Sequence, residues 1–398
     1  MEKLQKPHLH ADWIDPDARS IVDRLQRAGH PTYLVGGCVR DLLAGIHPKD
    51  FDIATSAHPE QVRKLIRGSY IIGRRFQLVL VKRGDTQFEV ATFRRMALPE
   101  EINPNETSYS DNFFGTPQED AQRRDFTING LFYDPIKDEL IDYVGGIKDI
   151  ELGLIRMIGD PDIRLKEDPI RILRAIRLSH KLRFSIEQKL RESIERNSQE
   201  LLRSILPRKR EEYFKILRLE DPSLVFQELY DLKILGHIMP SLNGIWEKNE
   251  NAQILTHFFS RTKEIARDLS NTILLMLPLL MALNEIFDLQ KESSELDLQT
   301  VEHLFKNEWG LFKTEQQALF DGLQLLGQMQ QIEFILRKGH RRQRNFFARE
   351  NIHLALTMAK ANCLFSGEQW LKIVRLLNDF QTFHHPEVVF DLPEPLKK

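Results

Sequence analysis

The chain has 398 residues, which is enough for two or three domains with separate cores. Hydrophobic residues make up 41% of the chain and charged residues 29%, a balance that excludes disordered and fibrous proteins. The formal net charge is −2, so any affinity for nucleic acid must come from local basic surfaces rather than from the charge of the whole protein.

Three features favour a cytoplasmic location. The longest apolar run, residues 273–283, is too short to cross a bilayer and contains Pro278. Residues 1–10 are polar and lack the apolar core of a signal peptide. The two cysteines, Cys38 and Cys363, cannot form a disulfide framework, which suggests a reducing compartment. We therefore expect a cytoplasmic protein without a membrane partner.

The first predicted element is an amphipathic helix over residues 15–29, where apolar residues recur at helical spacing and Gly29 is suited to the end. Short stretches rich in β-branched and aromatic residues then predict strands over residues 32–35, 51–54, 76–81, 88–93, 127–133, 140–143 and 155–157. Residues 97–111 are polar and without periodicity, which predicts a mobile loop. From residue 162 onward the spacing predicts helices, most clearly over residues 170–180, 186–197, 208–219 and 224–232.

This change of pattern divides the chain into four predicted regions. An N-terminal helical segment (1–30) precedes an α+β head (31–160), a helical neck (161–240) and a helical body and tail (241–398).

Two aspartates stand two positions apart in the second predicted strand. On a strand, this spacing places Asp50 and Asp52 on one face, with Phe51 and Ile53 turned into the core. Two carboxylates held so close repel each other unless a cation lies between them, and Mg²⁺ prefers such oxygen ligands. A bare Asp-x-Asp is more often a surface turn or a solvated strand end, so the metal-binding interpretation depends on neighbouring features.

Two further acids are candidates for the same site. Glu89 is the acidic residue of an apolar strand, and a neighbouring strand would bring it to the metal as a third ligand; an exposed alternating position is the other interpretation. Asp125 follows Arg123 and Arg124, so an ion pair with those arginines or a helix N-cap is the alternative to a catalytic role.

A glycine turn precedes the aspartates by about a dozen residues. Gly36 and Gly37 connect a predicted strand to a short helix, where backbone amides can approach a phosphate. Arg40 in the first turn of that helix is suited to clamp a triphosphate.

A polar stripe characterises the predicted neck helix. Asp168, Arg171, Arg174 and Arg177 recur every three residues, beside an apolar stripe that packs the helix. A basic solvated face is one interpretation. The other is base recognition, because a carboxylate accepts from the amino group of adenine or cytosine while an arginine donates to a ring acceptor.

Together these segments resemble the bacterial poly(A) polymerase and CCA-adding tRNA nucleotidyltransferase family, the second class of polymerase-β-like nucleotidyltransferases. The matching segments are residues 34–41, 50–52, 88–94, 123–129 and 167–171, and the resemblance covers roughly residues 15–240. It implies an α+β fold: a polymerase-β-like nucleotidyltransferase head with a small mixed sheet of five strands, followed by an all-α neck, body and tail.

The resemblance also implies residue roles. Asp50 and Asp52 would be the catalytic pair that binds Mg²⁺ as two ions, with Mn²⁺ as an alternative, and Asp125 matches an active-site aspartate of the poly(A) polymerases. The family's nucleotide-binding positions match Gly37, Arg40, Arg124, Asp168, Arg171, Arg174 and Arg177.

Within the family, residues 71–81 resemble the poly(A) polymerase form, which has two arginines, here Arg74 and Arg75, after the glycine. The resemblance therefore implies a polymerase that adds AMP from ATP to RNA 3′ ends and acts in RNA polyadenylation and turnover. A CCA-adding enzyme and a non-catalytic RNA-binding protein on the same fold are the alternatives. A cluster in the body is predicted to bind RNA or to be a solvated helix with buried phenylalanines: Arg337, Lys338, Arg341, Arg342 and Arg344, near Phe346 and Phe347.

Overall fold

The computed structural model describes residues 9–73, 77–96, 113–291 and 295–379. The chain forms two compact units, Met1–Asn197 and Ser198–Lys398. The predicted boundaries at residues 160 and 240 fall inside these units and stay predictions. Arg74, Arg75 and the predicted loop over residues 97–111 lie outside the described residues.

A mixed sheet of seven strands forms the centre of the first unit, with the order β3-β4-β5-β2-β1-β6-β7. Strands β2 and β5 are parallel, whereas the other neighbouring pairs are antiparallel. Its strands are β1 (Thr32–Val35), β2 (Ile53–Thr55), β3 (Ser69–Ile72), β4 (Leu78–Arg83), β5 (Thr86–Thr92), β6 (Leu131–Asp134) and β7 (Glu139–Asp142). Two further short strands, β8 (Leu154–Ile155) and β9 (Ser185–Ile186), pair in parallel. The mixed sheet is confirmed, but the expected five strands are wrong.

The sequence missed β3 because this edge strand has no buried position in its alternating pattern. Its identity depends on antiparallel pairing with β4, from Ser69 opposite Val81 to Ile72 opposite Leu78. The strand predicted over residues 127–133 begins only at Leu131. Residues Thr127–Asn129 form a 3₁₀ turn instead, in which the Thr127 hydroxyl donates to the buried Asp149 (2.6 Å).

Helices of the first unit cover both faces of its sheet. They are α1 (Pro16–Arg27), α2 (Gly37–Leu43), α3 (Pro59–Leu65), α4 (Pro117–Gln122), α5 (Gly146–Glu151), α6 (Pro161–Glu167), α7 (Ile170–Leu182) and α8 (Gln188–Asn197). The Asp15 side chain caps α1 by accepting from the amides of Asp17 and Ala18, as its position before Pro16 favours. Gly29 follows at a φ of 87°, so the predicted helix ends where expected.

Alternating residues of the central strands supply two cores on opposite faces of the sheet. Leu34 and Ile53 belong to the larger core, with α1, α2 and α3. Val35 and Ala54 belong to the smaller core, with Phe93. Successive side chains along each strand therefore point to opposite faces of the sheet. The same alternation sets the side on which each of the residues just before β2 lies.

The neck helix α7 begins at Ile170, with Pro169 as its N-cap. Asp168 is the C-cap of α6, where the chain takes an extended conformation before α7 begins. Arg171, Arg174 and Arg177 are partly exposed, while the residues between them are buried. The predicted polar stripe is confirmed.

The described part of the second unit is helical. Its helices are α9 (Leu206–Leu217), α10 (Pro222–Asp231), α11 (Leu235–Ile238), α12 (Pro240–Trp246), α13 (Asn249–Ser260), α14 (Thr262–Ile265), α15 (Thr272–Phe287), α16 (Glu295–His303), α17 (Lys313–Met329), α18 (Ile332–Leu336), α19 (His340–Phe347), α20 (Ile352–Ala361) and α21 (Gly367–Asp379). Aromatic rings fill the core, with Phe226 stacked on Phe259 at 4.5 Å between ring centroids. Across the described ranges, every helix is too short or too polar to span a bilayer.

Candidate active site

The acidic pair lies immediately before β2 rather than within it. Phe51 and Ile53 are buried in the larger core, so the predicted alternation is confirmed, and the Asp50 and Asp52 side chains are exposed. The Asp52 carbonyl accepts from the Val35 amide (3.0 Å). This bond places the pair beside the end of β1, where the glycine turn begins.

Glu89 lies next to the pair because β2 and β5 are parallel. Val90 is in register with Ile53, so Glu89 stands beside Asp52, one step earlier on each chain segment. Burial raises the pKa of Glu89, and the charges of Asp52 and Asp50 raise it further. The pKa of Asp52 is also raised, first by partial desolvation and then by Asp50, against the opposing effects of Arg124 and Arg40. Three carboxylates therefore share one electrostatic environment.

These carboxylates fit a Mg²⁺ site that is completed by substrate. No cage of three or more His, Cys, Asp or Glu side chains occurs among the described residues. Mg²⁺ is commonly held by one or two carboxylates together with water and substrate phosphates, so an open pair is an adequate donor set. Asp50 and Asp52 would hold the ion. Coordination by Glu89 stays a prediction.

The glycine turn requires glycine at its first position. Gly36 has φ 72° and ψ −124°, a conformation that L-residues rarely adopt. A Cβ atom there would lie 2.7 Å from Nη1 of Arg124. Helix α2 then begins at Gly37, so its first amides lie beside the acidic pair.

Arg124 is held rigidly at this turn. Its guanidinium donates to Asp120 (2.9 Å) and to the Asn129 carbonyl (3.3 Å), and it lies over the Phe132 ring. Asp120 is buried, yet Arg124 and then Arg123 lower its pKa below the ordinary value. Arg124 is thus a preoriented, partly exposed cation in the field of Asp52. Asp120, which the sequence did not single out, positions it.

We expect Gly36→Ala to lower stability by about 1–3 kcal/mol through backbone strain. Because the new methyl group must displace the Arg124 guanidinium, the KM for ATP should also rise, roughly tenfold or more. Gly45→Ala is the matched control, since Gly45 also has a positive φ (68°) but no atom within 4 Å of an added Cβ. An equal rise in KM for both variants would contradict a role for the turn in placing Arg124.

Asp125 is enclosed by donors. One carboxylate oxygen accepts from the Phe126 amide (2.8 Å) and from Asn129 (2.9 Å), and the other accepts from Nε of Arg174 (2.7 Å). Burial opposes ionisation, but Arg174 and these hydrogen bonds lower the pKa of Asp125 to about 2. The alternative interpretation, an ion pair of Asp125 with Arg123 or Arg124, is not what forms: both arginines pair with Asp120, and the catalytic role of Asp125 stays a prediction. The geometry favours a positioning role for Asp125 over metal coordination.

Arg40 belongs to the same buried network. Its guanidinium donates to Asp41 (2.6 Å) and to Asn129 (2.6 Å), and only 6% of Arg40 is exposed. Lys181 of α7 donates to the second oxygen of Asp41 (2.7 Å). The network therefore joins α2, the Thr127–Asn129 turn and α7. Phosphate binding by Arg40 stays a prediction. In the structure its guanidinium holds the buried network together by donating to Asp41 and Asn129.

Arg171 is partly engaged at the start of α7. Its Nη1 donates to the Arg164 carbonyl (2.6 Å) and to Glu167 (3.2 Å). Within the described residues these are the hydrogen bonds of its side chain, so Nε and Nη2 remain available to a ligand. Arg164, which the sequence analysis missed, also donates to the carbonyls of Arg123 and Arg124 (2.6 and 2.9 Å).

A cavity of about 310 Å³ adjoins the acidic pair. Asp50, Trp13, His47 and Gln87 are among its lining residues. The Trp13 and His47 rings are stacked, with 5.4 Å between their centroids. The Trp13 ring is also stacked with His10, with 4.0 Å between the centroids, so this ring is already engaged within the protein.

The basic cluster of the body lies in the second unit, around α18 and α19. Arg341, Arg342 and Arg344 are exposed on α19, as are Arg337 and, in part, Lys338 before it. Phe346 and Phe347 are buried, which supports the solvated-helix interpretation and excludes these two rings as a stacking surface. RNA binding by the basic residues stays a prediction.

Two family descriptions match the chain. The Poly A polymerase head domain matches residues 32–156, and the probable RNA and SrmB-binding site of polymerase A matches residues 183–245. Poly(A) polymerase I of Salmonella typhi is 42% identical over 244 residues, which are 59% of this chain and 52% of that protein. The chain therefore carries a poly(A) polymerase head domain and a second region described for that polymerase.

CCA-adding enzymes are also similar to the chain. The CCA-adding enzyme of Lactobacillus helveticus is 35% identical over 263 residues, 66% of this chain and 64% of that enzyme. The solved structure of the Bacillus stearothermophilus CCA-adding enzyme in complex with CTP matches with a TM-score of 0.63 at 22% identity, covering 92% of this chain and 83% of that chain. The polymerase-β-like nucleotidyltransferase fold is confirmed. The chain spans about half the length of the poly(A) polymerase that it matches.

Proposed function

We propose that the chain is a poly(A) polymerase that adds AMP from ATP to RNA 3′ ends without a template and releases pyrophosphate. One observation carries this proposal: the charges of Asp50, Asp52 and Glu89 act on one another, and Asp52 also lies in the field of Arg124, whose guanidinium is held against Gly36 of the glycine turn. Carboxylates for metal and donors for phosphate thus meet at one place. The 42% identity to poly(A) polymerase I supports the choice of product.

In the reaction, the RNA 3′-hydroxyl forms a bond to the α-phosphorus of ATP while the bond from that phosphorus to the pyrophosphate oxygen breaks. Metal held by Asp50 and Asp52 would supply activation of the hydroxyl and charge stabilisation. The amides after Gly36 and the guanidinium of Arg124 would orient the triphosphate. The RNA end would enter the cavity beside Asp50.

Base selection is proposed for Asp168 and Arg171, whose Nε and Nη2 can donate to a ring acceptor. We expect Arg171→Ala to raise the KM for ATP and to reduce discrimination against other nucleotides by roughly tenfold, the value of about one good base contact. The measurement is kcat/KM for each of the four nucleotides. Arg191→Ala, which removes an arginine paired with Glu195 on α8, is the control. Unchanged selectivity in Arg171→Ala would count against base recognition by this residue.

CCA addition is the second candidate, supported by the 35% identity to a CCA-adding enzyme and by the fold of that group. The test is incubation with a generic RNA oligonucleotide and with a tRNA lacking its 3′ end, supplying each nucleotide separately. Long tails from ATP alone support the proposal. Synthesis that stops after C-C-A on the tRNA supports the second candidate. Absence of incorporation on both substrates would favour a non-catalytic RNA-binding protein.

A further inference from the structure

The second unit contains a cavity of about 820 Å³ between α17, α18 and neighbouring residues. This volume falls within the range of about 300–1,000 Å³ that is typical of sites for small organic ligands. Its walls are unusual in composition, since six glutamine side chains line it: Gln290, Gln317, Gln324, Gln328, Gln330 and Gln331.

Some of these amides are used within the protein, and others are not. Gln330 donates to Gln290 (2.9 Å), and Gln328 accepts from Arg349 (2.7 Å). Over the ranges that the structure describes, the exposed side chains of Gln324 and Gln331 have no hydrogen-bond partner. Each of these two amides therefore offers a donor and an acceptor to a ligand in the cavity.

An exposed aromatic ring completes the lining. Phe334 is 61% exposed, and Nζ of Lys338 lies 4.3 Å from its ring centroid. A ring that remains accessible beside a cation is suited to stack on a nucleobase while the cation faces a phosphate.

The charge around the cavity selects a polyanion. Lys338 and Arg349 line it together with one acid, Asp321, and Arg341, Arg342 and Arg344 are exposed on the adjacent segment. Basic side chains of this kind bind nucleic-acid phosphates.

We propose that this cavity binds a base of single-stranded RNA, with Phe334 stacking on it and Gln324 and Gln331 contacting its edge. An amide can accept from the adenine amino group while donating to N7, whereas uracil presents a carbonyl in place of the amino group. Adenine is therefore the preferred base. The proposal rests on the proposed function, because an RNA that carries a 3′ run of adenosines is then both substrate and product.

The experiment measures binding of labelled 15-mers of oligoadenylate and oligouridylate to the full chain by fluorescence anisotropy, with EDTA and no nucleotide. We expect Phe334→Ala to weaken oligoadenylate binding about tenfold, in the range of one lost base stack. The slope of binding against salt should not change, since no phosphate contact is removed. Gln324→Leu should reduce the difference in affinity between oligoadenylate and oligouridylate.

Phe312→Ala is the matched control. Phe312 is 66% exposed, and Arg210 lies 4.6 Å from its ring centroid, but it does not line the cavity. Its replacement should leave binding unchanged. If Phe334→Ala binds oligoadenylate as tightly as wild type does, or if both variants lose the same affinity, the proposal is overturned. A protein partner would then be the remaining candidate for the cavity. AMP incorporation is measured separately on the same variants, so a failure of the proposed function is distinguished from a failure of this site.

Discussion

Asp52→Ala is expected to abolish nucleotide incorporation, with a loss of at least about a thousandfold, while RNA binding stays within about twofold of wild type. A metal ion contributes several kcal/mol of charge stabilisation in phosphoryl transfer, and each 1.4 kcal/mol corresponds to a factor of ten. Asp52 is coupled to most of the other charged groups of the site, because its charge acts on Glu89 and it is itself affected by Asp50, Arg124 and Arg40.

The direction in which Asp52 changes the stability of the fold can be predicted from its pKa. The pKa of Asp52 lies above its ordinary value, so the proton binds more tightly in the folded state. Stability is therefore lost as the pH rises through the window above the ordinary value, and at neutral pH the ionised side chain is unfavourable without metal. Asp52→Asn should raise the melting temperature in EDTA, and Mg²⁺ should stabilise wild type but not this variant.

Asp85→Ala is the control for both measurements, since Asp85 is an exposed acid in the turn between β4 and β5. It should retain full incorporation and the response to Mg²⁺. Undiminished incorporation by Asp52→Ala would sink the proposed chemistry. An equal Mg²⁺ response in wild type and Asp52→Asn would show that the ion binds elsewhere.

Asp125→Asn is expected to destabilise the first unit by about 2–3 kcal/mol at neutral pH. Removing one partner of a buried ion pair usually costs about 3–5 kcal/mol, and the lower value applies because the Arg174 side chain is 34% exposed. A pKa lowered to about 2 corresponds to roughly 2–3 kcal/mol, the same order of magnitude. Since the network also holds Arg40 beside the glycine turn, kcat for AMP incorporation should fall as well.

The pH dependence separates this effect from a packing defect. Because the pKa of Asp125 is depressed, its contribution is complete above the ordinary pKa and is lost as the pH falls toward 2. The difference between wild type and Asp125→Asn should therefore be greatest at neutral pH and vanish near pH 2, measured by urea unfolding followed through hydrogen exchange in α7. Asp23→Asn, which breaks an exposed pair with Arg27, should change stability by less than about 0.5 kcal/mol. A constant difference across this pH range would exclude the ion pair as its cause.

The sequence by itself determined the features that depend on local spacing. Alternation over residues 50–53, which lead into β2, required Phe51 and Ile53 to be buried and left the aspartates accessible, as observed. The three-residue repeat on α7 required a partly exposed stripe beside a buried face. Such patterns are readable because the side-chain periods of strands and helices follow from backbone geometry alone.

Tertiary structure alone decided which charged groups meet. Asp125 pairs with Arg174 rather than with the arginines beside it in the sequence. Arg40 donates both to its neighbour Asp41 and to Asn129, which is distant in the sequence. Lys181 reaches Asp41 across 140 positions. The order of strands in the sheet and the packing of α7 select these partners. A buried charged group needs a partner of opposite charge or a hydrogen-bonding group close to it in space, and distance along the sequence does not affect this need.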